Sequence, residues 1–305
     1  MTGVMRAGLR RLAVASGWPA RRIRTRRLPG VLVLSYHAIK PAGPGAPSMV
    51  FAGLHVTAAQ FEAHCRVLAT LCHPISLTDW RAHRETGRPL PARPVLVTFD
   101  DGYRSVLTEA LPVLERHAVP AAVFACTGPI AMEERFWYDA VAARDGEAAV
   151  EGLKAADHAA WQAAVDASRM PAHAGDPHAP LSVEEVQRLA AHPLIELGAH
   201  SVHHPILARA SHDVQRAEIR ESQAAVASWT GRPVTAFAYP NGREGVDFDV
   251  VTMRHLSEAG ITDAFTTTPS LAAPDGDRLR IPRLVVVDGW TEDALVWRLL
   301  RLTVA

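Results

Sequence analysis

Short unbroken apolar runs alternate along this chain with longer stretches of helical periodicity, and that alternation is the strongest constraint on its fold. Val31–Tyr36, Pro94–Phe99 and Ala121–Cys126 are apolar almost throughout. So are the shorter runs Leu194–Leu197, Val234–Ala238, Thr262–Thr266 and Ile281–Val287. A strand that is apolar on both faces belongs in a parallel sheet covered on both sides. Between the runs lie helical patterns. Thr57-Ala-Ala-Gln60 and Ser182-Val-Glu-Glu185 are capping boxes, and helices are expected over 103–117, 182–191, 211–229 and 246–259, with a last one from Thr291. Seven or so strand–helix units predict an α/β fold and fit a (β/α)7-type barrel better than an open sheet. Residues 131–180, rich in Ala and ending in PAHAGDPHAP, break the rhythm and read as a helical insertion followed by an irregular loop, either a substrate-shaping lid or neutral. The stretch 41–47, PAGPGAP, reads as a turn-rich loop.

Charge divides the chain into a basic N-terminal arm, residues 1–30, and a barrel domain, residues 31–305. Lys+Arg and Asp+Glu are both 32, so overall charge does not favour nucleic acid. Yet residues 1–30 hold eight Arg and no Asp, Glu or Lys. The apolar stretch Leu12–Ala20 is broken by Gly17, Trp18 and Pro19, a poor match to an export signal. The arm is expected to be solvated or to touch anionic lipid peripherally. The compartment expected is cytoplasmic, with export left open. Three scattered cysteines exclude a disulfide framework.

In a parallel barrel the reactive groups follow the carboxyl ends of strands. Four of the apolar runs end that way: in His37, in Asp100-Asp101-Gly102, in His200-Ser-Val-His203-His204-Pro205, and in Tyr239-Pro240-Asn241-Gly242. Adjacent carboxylates repel unless a cation compensates. The competing reading is that Asp100 and Asp101 merely cap the helix that follows. His200 and His204, at i and i+4, would share one face of a helical turn and, with Asp101, form a set of two imidazoles and one carboxylate for Zn2+ or a similar divalent ion. His203 would point elsewhere, at the rim.

These two motifs together resemble the polysaccharide deacetylase (NodB-homology) family, carbohydrate esterase family four. The resemblance covers roughly residues 31–290. It implies a distorted barrel that removes acyl groups, usually acetyl, from sugars, with Asp100 as general base and Asp101, His200 and His204 as metal ligands. Two departures stand out. The family's usual Arg two residues before Pro240 is Ala238, and its late Leu-x-His is missing after residue 260. A permuted arrangement, in which that His comes first, makes His37 the candidate general acid; the alternative is a buried imidazole bonded to backbone. Arg283 either replaces the missing Arg beside Asp100 or makes a surface ion pair. A backbone N–H at Asn241 is the positional candidate for the oxyanion. Trp137, Tyr138 and Trp290 are candidate sugar-stacking faces or ordinary packing. The expected partner is an acylated sugar in a polysaccharide, oligosaccharide or lipid-linked glycan, with no nucleic acid. The competing functions are a sugar-binding pseudoenzyme and a metal-dependent hydrolase of a non-sugar amide.

Overall fold

A computed structural model describes residues 3–41, 48–173 and 175–304. The central sheet has eight strands, seven of them in one continuous path: β1 (Leu32–Tyr36), β2 (Pro94–Phe99), β3 (Ala121–Ala125), β4 (Ile195–Ala199), β5 (Ala236–Ala238), β6 (Asp263–Phe265) and β7 (Leu284–Val285); the eighth, the two-residue His73–Pro74, pairs off this path with the start of β2. All pairings are parallel, in the order β7-β1-β2-β3-β4-β5-β6. The segment leading into β7 closes the gap to β6. Ile281 makes a parallel bridge to Phe265, with its N–H donating to the Ala264 carbonyl at 2.9 Å. The sheet therefore curls into the distorted barrel expected of the pattern.

Side-chain alternation sorts the sheet into two layers. Val33, Leu96, Phe124, Ala236, Ala238 and Phe265 fill the barrel interior, and Trp80 plugs one end. Leu32, Leu34, Val95, Val97, Phe99 and Val123 face the surrounding helices. Gly198 in β4 is set by this packing. A Cβ there would lie 2.5 Å from the Phe124 ring and 2.9 Å from the Ala236 carbonyl oxygen.

The helices are α1 (Gly3–Ala15), α2 (Trp18–Arg24), α3 (Ala58–Leu71), α4 (Leu77–Thr86), α5 (Leu111–His117), α6 (Thr127–Met132), α7 (Trp137–Asp145), α8 (Glu147–Ala155), α9 (His158–Ala167), α10 (Val183–Ala190), α11 (His212–Thr230), α12 (Val250–Glu258) and α13 (Glu292–Leu302). Both capping boxes form as the sequence predicts, at Thr57 and Ser182. The insertion is helical, as α7 to α9 followed by irregular chain.

Several boundaries differ from expectation for local reasons. The helix expected over 103–117 starts as a π-turn at Val106–Ala110 before α5. Pro112 has no N–H to offer the carbonyl four residues back, so a regular α-helical ladder cannot run through it. The strand expected over 281–287 is paired only at Ile281 and β7, because Pro282 cannot donate. The helix expected from 246 begins at Val250, where the Asp249 carboxylate caps the Val251 and Thr252 N–H groups. The basic N-terminal segment is not a free arm over its described residues: α1 and α2 pack against each other and against α13, with Ile23 fully buried. The 41–47 loop lies outside the described residues from 42 onward.

Candidate active site

The carboxyl ends of β1, β2, β4 and β5 open into one cavity of about 260 Å3. His37, Asp100, Asp101, His200, His204 and Asn241 all line it. Along β2, period two carries Leu96, Thr98 and Asp100 to the inner face. Asp101 then takes a left-handed backbone (φ 72°) with Gly102 beside it (φ 92°), which turns its carboxylate into the same cavity. Neither Asp caps the following helical segment, whose first residue has no side-chain cap.

Asp101 Oδ1 lies 3.3 Å from His200 Nε2 and 3.6 Å from His204 Nε2. One atom from each of the three groups falls within a 4.8 Å span, and all three residues are buried. Asp101 Oδ1 has no hydrogen-bond partner. A buried carboxylate oxygen left open beside two imidazole nitrogens fits a cation. The two separations suit donors about 2.0–2.1 Å from a shared tetrahedral centre. His200 is oriented by its Nδ1, 2.7 Å from the Ala238 carbonyl, which leaves Nε2 for the cation. Burial and the neighbouring His200 hold His204 down to about 3, so its imidazole is neutral at ordinary pH, the form a cation would need.

The two histidines do not share a helical face. Residues 200–205 form an irregular bend, with Ser201 (φ 61°) and His204 (φ 59°) left-handed. The i,i+4 spacing works because the bend folds back on itself. Glu218 of α11 braces it: Oε2 accepts from the Val202 and His203 N–H groups at 2.8 and 2.9 Å. His203 points elsewhere, outside the cavity lining, with Nδ1 2.7 Å from Glu218 Oε1. Trp137 Nε1 donates to the His204 carbonyl at 3.2 Å, tying the insertion to the site.

Asp100 is held from the barrel interior. Arg283 donates to both of its carboxylate oxygens, at 2.7 and 2.8 Å. The guanidinium also bonds Thr98 Oγ1 and the Thr266 carbonyl, and it sits above the Phe124 and Phe265 rings. Ser35 Oγ donates to Asp100 Oδ2 at 3.1 Å. Burial pushes the Asp100 carboxyl up, but Arg283 and His200 outweigh it and hold the group below the usual carboxylate range. Arg283 is fully buried, so the surface-pair reading is excluded.

His37 follows β1 and has an unpartnered Nδ1, so it is not a buried imidazole bonded to backbone through that atom. Asn241 is left-handed (φ 56°), its Nδ2 is unpartnered, and its carbonyl accepts from Thr267 Oγ1 at 2.7 Å. Of the candidate stacking faces, Tyr138 lines the cavity with its ring edge-on to His204. Trp137 packs against Trp161 behind the site, and Trp290 is buried under Arg298, outside the cavity lining. Sequence reasoning missed His55, Tyr103 and Lys154, which also line the cavity. His55 is almost fully buried and neither ring nitrogen has a partner. Its only sequence signal is a lone His just ahead of the Thr57 capping box.

The barrel, the cluster of two imidazoles and one carboxylate, and a clamped second Asp define a metal-site hydrolase scaffold of the (β/α) class. A family model for polysaccharide deacetylase matches residues 87–264, and the chain belongs to that family. A 48-residue segment is 42% identical to the poly-β-1,6-N-acetyl-D-glucosamine N-deacetylase of Escherichia coli K12, covering 16% of this chain and only 7% of that protein. Among solved structures, the Streptococcus pyogenes deacetylase PplD, in complex with acetate, superposes with a TM-score of 0.62 at 19% identity, over 88% of this chain and 97% of that one. IcaB from Ammonifex degensii gives 0.62 at 19% identity, over 89% and 97%. These structural likenesses concern the fold.

Proposed function

We propose that this chain is a metal-dependent hydrolase that removes an N-acetyl group from a sugar of a glycan, with zinc as its ion. The observation that carries the reading is the convergence of Asp101, His200 and His204 beside an Asp100 locked by Arg283. Asp101, His200 and His204 would hold the ion. When bound, it would supply Lewis acidity, making water a nucleophile near neutral pH and polarising the acyl carbonyl.

The chain's own residues would do the rest. Asp100, ionised at neutral pH and fixed by two hydrogen bonds, accepts the proton of the attacking water. Arg283 sets the angle of that carboxylate and stays out of the cavity lining. The Asn241 N–H is offered to the developing oxyanion, a contribution of about 3 kcal/mol for one such donor. His37 donates a proton to the departing amine, which without it is a poor leaving group. The similarity to the E. coli enzyme favours a β-1,6-linked N-acetylglucosamine polymer as substrate.

The test is acetate release from an N-acetylglucosamine oligomer by zinc-loaded protein, with chelated protein and Asp101→Ala as controls. Metal-dependent release supports the proposal. No release by protein that carries stoichiometric zinc overturns it.

A further inference from the structure

The basic N-terminal segment folds into a surface of its own, away from the catalytic cavity. On α2, Trp18, Arg21 and Arg22 stand at i, i+3 and i+4 and are exposed, while Pro19 and Ile23 turn inward. On α1, Arg11 and Leu12 are exposed, while Val14 packs on the core. Leu12 is 71% exposed and Trp18 55%, unusual for side chains this apolar. Arg11 stands 3.6 Å from Asp293. Arg21 and Arg22 have no acidic partner within 4.0 Å among the described residues.

We propose that this outer face of α1 and α2 docks on an anionic lipid bilayer, with Leu12 and Trp18 entering the interfacial layer between Arg11, Arg21 and Arg22. Two features point to lipid. The first is charge: eight Arg and no acidic residue in the first thirty positions complement an anionic headgroup layer. The second is composition: a large aliphatic and an indole on the basic face suit the boundary between headgroups and acyl chains. A nucleic-acid surface would use the arginines but leave Leu12 without a role.

The placement fits a working orientation. Arg93, just ahead of β2, donates to the carbonyls of Arg24 and Arg26, and the Leu28 N–H donates to Ala92. α2 thus ends at the amino ends of the strands, whereas the cavity opens at their carboxyl ends. A six-residue strand puts roughly 20 Å between the two. None of the residues proposed to touch lipid lines the cavity. The proposal does not depend on the hydrolase reading.

The test is co-sedimentation of the full chain with phosphatidylcholine vesicles, with and without phosphatidylglycerol. Binding is expected only with phosphatidylglycerol and should fall as salt rises. Arg21→Gln with Arg22→Gln should weaken partition on the order of 30-fold, and Leu12→Ser with Trp18→Ser should also weaken it. Both double variants should keep wild-type melting and wild-type acetate release from soluble oligomer. Equal binding to uncharged vesicles, variants that bind like wild type, or binding to duplex DNA with no binding to vesicles would each overturn the proposal. Vesicle binding without acetate release would leave it standing and sink the hydrolase reading alone.

Discussion

Arg283 arrives from 183 residues beyond Asp100, and no local pattern in Arg280-Ile-Pro-Arg283 announces its partner. The carboxylates were legible because two adjacent Asp after a buried strand is a costly arrangement; their clamp was legible only as one of two readings of Arg283, because choosing between them depends on how the barrel closes. Arg283→Ala should lower kcat by on the order of 100-fold with zinc content unchanged. Burial alone raises the Asp100 carboxyl, so losing the guanidinium should move the acidic limb of the rate profile to higher pH, and Arg283→Lys should restore part of the rate. An acidic limb that stays in place would contradict the clamp. Asp101→Ala and His204→Ala should lose zinc and turnover together, by elemental analysis and acetate release. At His55, burial first and then His37 hold the imidazole at about 3. It is therefore neutral, one nitrogen able to donate and one to accept, and a sugar hydroxyl that reached it in the cavity wall would find a partner. His55→Phe should raise KM about tenfold with little change in kcat, the mark of binding lost equally from ground and transition states. A change confined to kcat would refute that role.

At the scale of elements, the strands were the most legible part of the chain. Unbroken apolar runs bury on both faces, and β1, β2 and β3 are buried at every position. The histidine bend was half legible. Its ligands follow a strand, as the barrel rule demands, but their spacing matched a helix that the backbone does not form. Two left-handed residues and the Glu218 brace shape it instead, and a brace from α11 leaves no mark at residues 200–205. Glu218→Ala should free two N–H groups and weaken zinc binding about 10- to 100-fold in a chelator competition, while the barrel stays folded by circular dichroism. Unchanged zinc affinity would show that the bend holds its shape without the brace. The short late strands were least legible, because prolines and long-range bridges, not periodicity, decide where they stop.

For the whole molecule, acid stability has an identifiable contributor. Asp263 in β6 is buried between Arg81, 2.8 Å away, and Arg278, 3.0 Å away. Burial raises its carboxyl, but the hydrogen bonds and charges of its partners prevail, and it ends below the usual range. A group held lower in the folded state stabilises above its unfolded value near 4 and loses that contribution as pH falls through the folded one. Asp263→Asn should therefore lower the melting temperature at pH 7 and flatten its fall below about pH 4. A parallel curve, shifted equally at every pH, would assign the loss to packing instead.

Barrel closure carries one last consequence. The residue that clamps Asp100 lies on the stretch that joins β6 to β1, so ring completion and the placing of that carboxylate are the same event. A nascent chain that has made its Asp and both His still lacks the guanidinium that disciplines Asp100. Turnover should switch on late in synthesis and all at once, and a barrel that springs open at this seam should fall silent before it unfolds.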